Sequence, residues 1–102
     1  QIFKLTVEIG TNKIMTDKSL NLCFKALSSE TRRKIIFLLM DKSLCAGEIA
    51  KQFNLTGATI SHHLKILSAS NLLDRNRKGL SIYYSLNMRE WNSLKKWFNS
   101  IY

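Results

Sequence analysis

The sequence predicts a mainly α fold with a small β-hairpin, of the winged helix-turn-helix class. Three observations carry that prediction. Two short helical segments, about 46–53 and 56–68, are joined by a tight link at Asn54 and Leu55. Two strand-forming runs then flank Arg77-Lys78-Gly79-Leu80, a turn whose glycine accepts the positive φ that hairpins commonly need. Amphipathic helices stand on both sides of this unit, one opening at Asp17 and one at Asn87.

Taken in order, residues 3–9 alternate: Phe3, Leu5, Val7 and Ile9 fall on one side, Lys4, Thr6 and Glu8 on the other. That is the pattern of a half-buried strand, and Gly10, Thr11 and Asn12 break it. Residues 1–15 are therefore expected to form a strand-like extension or leader, and 16–102 the winged helix-turn-helix domain. Met15 is an alternative native start. From Asp17, read as an N-cap, the period becomes helical through Leu20, Cys23, Phe24 and Leu27. A second helix starts at Ser29, with Glu30 suited to its positive end. Its Ile35, Ile36, Leu38 and Leu39 make it apolar on most sides, as expected of a central core helix.

The third helix begins after Cys45, which has Glu48 three residues on, a capping box whose hydroxyl is replaced by a weaker acceptor. Thr56 caps the fourth. Strands are expected at 72–76 and 81–86, the second carrying Ile82, Tyr83 and Tyr84. Asn87 with Glu90 opens the last helix. Its stripe is Trp91, Leu94, Phe98 and Ile101, widened by Trp97 and Tyr102.

The charge balance says what such a domain would meet. There are 16 Lys and Arg against 7 Asp and Glu, a net charge of +9, which favours a polyanionic partner: nucleic acid first, anionic membrane second. A merely soluble basic domain has the same balance, so position must decide. The longest apolar run, Ile35 to Met40, is far short of the roughly 20 residues that span a bilayer. No signal-peptide pattern opens the chain, and two cysteines without repeated spacing, Cys23 and Cys45, point to a reducing cytoplasm.

Position favours DNA. On a helical wheel of the fourth helix, Ile60, Leu64 and Leu67 form a packing face. Ala58, Ser61, His62 and Lys65 lie opposite, with Thr59 at the flank. Small polar and cationic groups near a helix N-terminus suit close approach to base edges in the major groove. His63 sits beside the packing face, where a half-buried structural histidine and a DNA contact are both open. His62 and His63, adjacent on the helix, point about 100° apart and do not converge on one metal ion. Arg75, Arg77 and Lys78, at or near a protruding turn, suit phosphates or the minor groove. Arg32, Arg33 and Lys34 are expected to pair partly with Glu30 or Glu48 and to add to the positive field.

These segments resemble the ArsR-type winged-helix repressors, and within them the SdpR-like autorepressor branch. The resemblance rests on Phe24-Lys-Ala-Leu-Ser-Ser-Glu-Thr-Arg-Arg-Lys-Ile, Ala46-Gly-Glu-Ile-Ala, Thr59-Ile-Ser-His-His-Leu-Lys-Ile-Leu, and Gly79 through Tyr83-Tyr84-Ser-Leu-Asn87. It covers roughly residues 20–98. It implies repression, the fourth helix in the major groove, and a homodimer built from the first and last helices. Leu20, Phe24, Trp91, Leu94 and Phe98 are the seam candidates. Ser29-Glu30 stands where that family usually has Asp-Pro. Its metal-sensing members carry a Glu-Leu-Cys-Val-Cys-Asp-Leu box in the third helix, where this chain reads Ser43-Leu-Cys-Ala-Gly-Glu-Ile49. The last helix has no His and only Glu90 as a carboxylate. No metal or other cofactor is therefore expected, and release from DNA is assigned to a protein anti-repressor or to autoregulated abundance. A Cys23–Cys45 redox switch is conceivable, but Cys23 lies on the apolar stripe, where inert packing is expected.

Two other functions compete. One is a protein-interaction module that docks through the aromatic C-terminal helix, although an aromatic face is more often core or dimer seam. The other is an enzyme, for which the sequence offers no nucleophile–base set, no phosphate-binding glycine loop and no metal cluster.

Overall fold

The computed structural model describes residues 15–101; the alternating segment 3–9 and Tyr102 lie outside the described residues. Five helices and three short strands follow in the order α1 (Asp17–Leu27), α2 (Glu30–Leu38), β1 (Leu44–Cys45), α3 (Ala46–Phe53), α4 (Gly57–Ala69), β2 (Leu73–Lys78), β3 (Ser81–Leu86) and α5 (Met88–Ser100). None of the described helices is long and apolar enough to cross a membrane.

Local caps set most of these boundaries. Thr16, not Asp17, caps α1: its hydroxyl accepts from Ser19 N at 3.0 Å. Asp17 falls in the first turn, where a carboxylate still complements the positive helix end. The correction follows from reach, since a cap oxygen must meet the N–H two or three residues into the helix. Ser29 caps α2 as expected, accepting from Arg32 N at 3.3 Å. At α3 the Glu48 carboxylate accepts from Cys45 N at 3.0 Å, and that bond holds the carboxyl below its usual range. Asn54 ends α3 in the left-handed region at φ 53, which turns the chain directly into α4. Asn87 opens α5 by accepting from Glu90 N at 3.3 Å.

The core is built where the apolar faces meet. Ile35 of α2 and Leu39 at its C-cap, Ile49 of α3, Ile60, Leu64 and Leu67 of α4, Leu72, and Leu94 of α5 are all fully buried. Cys23 of α1 is buried among them, its thiol 3.8 Å from Ser70 O. Helix α2 is central, but not on every side: Phe37 is 69% exposed and Met40 is also at the surface. These two, with Leu27, Ile36, Met88 and Trp91, line an apolar hollow of about 390 Å³ edged by Arg33 and Lys95.

The sheet has one strand more than the sequence pattern suggested. Its order is β1-β3-β2, all antiparallel, with Leu44 opposite Tyr84 and Cys45 opposite Tyr83. The short β1 runs directly into α3 and so ties the start of that helix to the hairpin. The hairpin itself is tighter than expected. Lys78 pairs with Ser81, leaving the two-residue loop Gly79-Leu80, and only Gly79 of that pair takes a positive φ, 63°. Arg77 and Lys78, read as turn residues, are the last two residues of β2. A hairpin with a positive φ at its first loop position matches strand twist with two residues and has no need of four. At the other end of the hairpin, Leu72 O accepts both Asn87 N, at 3.0 Å, and the Trp91 indole N–H, at 3.1 Å, which fastens α5 to the root of β2.

Candidate nucleic-acid interface

Helix α4 presents the polar face that its sequence implies. Thr56 caps it by accepting from Thr59 N at 3.2 Å, while the Thr56 hydroxyl donates to Thr59 Oγ1 at 2.9 Å. Thr59 is exposed but is thus already engaged with its cap. Ala58, Ser61, His62 and Lys65 are exposed, and Ile60, Leu64 and Leu67 are buried behind them. Ser61 and Lys65, with Ser68, Arg75 and Tyr84, line a polar hollow of about 190 Å³ between α4 and the hairpin. On the other flank of α4, His62 and Lys65 join Leu22 and Lys25 of α1 around a hollow of about 290 Å³. Lys65 belongs to both and stands between them.

Strand alternation sorts the hairpin cations. Leu73 is buried, so Arg75 and Arg77, two and four residues on, share the face turned toward the core and α4. Arg75 lies opposite Tyr84, and Arg77 opposite Ile82. Lys78 belongs to the other face with Asp74 and Asn76, and its ammonium sits 5.4 Å from the Tyr83 ring centroid. The three cations grouped together from sequence therefore divide two and one: Arg75 lines the hollow beside α4 and Arg77 shares its face of the hairpin, whereas Lys78, on the other face, rests on an aromatic ring. Leu80, at the loop tip, is fully exposed.

Ser68 and Tyr84 are the residues sequence reasoning missed. Ser68 was read only as a helix end, and Tyr84 as a good strand former and as part of the family resemblance, neither as a site residue. The hairpin register, which sets Tyr84 across from Arg75, carried the signal.

His63 departs from the exposed group. It is half-buried, and its Nδ1 lies 3.1 Å from Arg32 Nη1. Burial first, then the Arg32 and His62 charges, holds its pKa below the usual 6.5. Arg32 is only 8% exposed and its other bonds go to the end of α1: Nε donates to Ala26 O at 2.9 Å, and Nη2 to Lys25 O at 2.9 Å and Ser28 Oγ at 3.4 Å. Arg33 similarly donates to Leu27 O at 2.6 Å. The expected pairing of this basic run with Glu30 or Glu48 therefore holds only for Lys34, which meets Glu30 at 2.8 Å. Glu48 is taken by Cys45 N, and the two arginines find the α1 carbonyls, whose partial negative charge attracts them.

Two of the five seam candidates are already enclosed within the chain: Leu20 is 7% and Leu94 2% exposed. Trp91 is half-buried. Phe24 and Phe98 remain 40% and 47% exposed and form an edge-on aromatic group with Trp97, at centroid distances of 5.6 Å for Phe24 to Trp97 and 5.2 Å for Trp97 to Phe98. Among the described residues no group of three or more His, Cys, Asp and Glu is placed to hold a metal ion.

Comparison with known proteins agrees with this geometry. The family model described as bacterial regulatory protein, arsR family, matches residues 29–75, from the α2 cap into β2. The chain is 50% identical over 68 residues to the transcriptional repressor SdpR of Bacillus subtilis, covering 67% of this chain and 76% of that protein. It is 38% identical over 72 residues to the arsenical resistance operon repressor of the same organism, covering 70% and 69%. Among solved structures, the ArsR-like transcriptional regulator from Rhodococcus sp. RHA1 aligns with a TM-score of 0.75 at 28% identity, covering 82% of this chain and 79% of that one. The chain belongs to the arsR family of bacterial regulatory proteins.

Proposed function

We propose that this protein is a sequence-specific DNA-binding transcriptional repressor that occupies a pseudo-palindromic operator as a homodimer, its own promoter included. The observation that carries the reading is the continuous polar and cationic surface formed by Ser61, Lys65, Ser68 and Arg75 across α4 and β2. In this reading α4 enters the major groove. Ser61, His62 and Lys65 meet base edges, Thr59 supports them from the cap, and Arg75 and Arg77 follow the phosphates. Lys78, held over Tyr83, adds field rather than a directed contact.

The second copy is assigned to the aromatic side of α1 and α5. Phe24 and Phe98, with half-buried Trp91, form the seam, while Leu20 and Leu94 support it from beneath. A two-fold arrangement would set the two α4 helices roughly 34–36 Å apart, on successive major grooves. Release from DNA is assigned to a protein partner or to falling abundance. Footprinting on the DNA upstream of the protein's own gene tests the reading. Protection of two half-sites one helical turn apart is expected, and binding that does not distinguish this DNA from an unrelated duplex would overturn it.

A further inference from the structure

Arg32 is a buried cation whose four acceptors include no carboxylate. Three belong to the last turn of α1 and its cap, at Ala26 O, Lys25 O and Ser28 Oγ, and the fourth is His63 Nδ1 on α4. A guanidinium only donates, so His63 Nδ1 can accept only as a bare lone pair, with the ring proton on Nε2. A protonated ring would instead set N–H against N–H, two cations at 3.1 Å. The rest of the α4 seat is apolar, through Ile60, Leu64 and Leu67. Apolar packing holds a helix in place but is not directional, whereas the planar guanidinium fork fixes an angle.

We infer that Arg32 and His63 form a latch that sets the orientation of α4 against the end of α1, and that the latch is closed only while His63 is the neutral Nε2–H tautomer. Both are positioning residues acting through α4, which makes the inference dependent on α4 being the DNA-reading helix. His63 is thereby removed from the direct DNA contacts and His62 kept among them.

The charges around His63 all oppose its protonation. Arg32 faces it from α2 and His62 adjoins it on α4, its ring centroid 5.9 Å away. Lys25 of α1 lends its carbonyl to the same guanidinium and lines the hollow beside His62. Because the folded chain favours the neutral ring, the stabilisation is complete above 6.5 and is lost as pH falls through the lowered His63 value. The sign is diagnostic. A histidine touching phosphate binds every duplex more tightly on acidification. A latch on α4 makes acid weaken binding to the preferred duplex relative to others.

Two measurements test this on the full chain. Imidazole nitrogen NMR without DNA should find His63 protonated on Nε2, bare on Nδ1, and titrating below the usual 6.5. In Arg32→Met, which removes the donor, both ring nitrogens should share the proton. A proton on Nδ1 in the parent would refute the latch. The second measurement uses the duplex most enriched by the parent protein from a random pool, against an unrelated duplex of equal length. Between about pH 7.5 and about pH 5 the ratio of the two affinities should fall about threefold or more. In His63→Asn, whose amide oxygen can accept from Arg32 and does not titrate, the ratio should hold within about twofold. A parent ratio that stays level or rises, or an equal fall in His63→Asn, overturns the inference. His63→Asn leaves the Arg32 bonds to α1 intact, so it decides the matter even if Arg32→Met fails to fold. If no duplex is enriched, the DNA reading falls, and the tautomer result alone settles whether the latch exists.

Discussion

Helices α4 and α5 are each 13 residues long and are built inside out relative to one another. Helix α4 buries Ile60, Leu64 and Leu67 and turns Ser61, His62 and Lys65 to solvent. Helix α5 buries Glu90 and Ser93 beside Leu94 and exposes Met88 and Phe98 among Lys95, Lys96 and Asn99, with Ile101 exposed at its C-cap. Buried polar groups and exposed large apolar ones are the informative exceptions on a protein surface. An outward face of hydroxyls and cations is suited to a hydrated, charged partner. An outward face of aromatics loses free energy until another apolar surface covers it. The contrast therefore assigns different partners to the two helices before any likeness to other proteins is considered.

The contrast can be broken most forcefully from within. Leu64→Ala removes a buried side chain of α4 and should cost about 2–5 kcal/mol of folding stability, read by urea denaturation. Phe98→Ala on α5 should leave that of the isolated chain within about 1 kcal/mol, yet shift sedimentation toward the monomer. If both variants lost equal stability with no change in mass, the outer face of α5 would not be a seam. Smaller effects separate the DNA contacts. Lys65→Ala or His62→Ala should lose about 1–3 kcal/mol of binding to the preferred duplex and relax discrimination at a single position. Thr56→Ala, removing the α4 cap, should lower the folding free energy by about 1 kcal/mol. The finest comparison lies within the hairpin. Arg77→Ala should flatten the salt dependence of binding by about one unit, as for one lost phosphate contact, while Lys78→Ala should barely change it. Equal slopes for those two variants would mean that the two faces of the hairpin are not distinguished by DNA.

Much of this architecture was legible because the deciding signals are local. The bounds of α3, the Thr56 cap and the buried trio of α4 follow from a few adjacent side chains and a 3.6-residue period. What escaped depends on distant pairing. A two-residue strand such as β1 has no period of its own and exists only because Tyr83 and Tyr84 lie across from it. Arg32 reads as one charge in a basic run; only folding brings it to the carbonyls of α1 and to His63, 31 residues away in sequence. The apolar stripe of α5 was recognised correctly as a stripe, but periodicity could not say which of its members face inward. Leu94 does, and Phe98 does not. Likewise, the order Arg75, Arg77, Lys78 shows a basic turn, while the split between the two hairpin faces awaits the register.

The carbonyl of Leu72 gives the two ends of the domain a common fulcrum. It accepts from the backbone at the start of α5 and from the Trp91 indole, while the next residue begins β2. The other strand of the hairpin runs into the same helix through Asn87. Helix α5 and the hairpin therefore share one anchor, placed just beyond the end of α4, which itself packs on α1, α2, α3 and β2. Displacing α5 would therefore be felt at the root of the hairpin and, through it, along the hollow that Arg75 and Tyr84 share with α4.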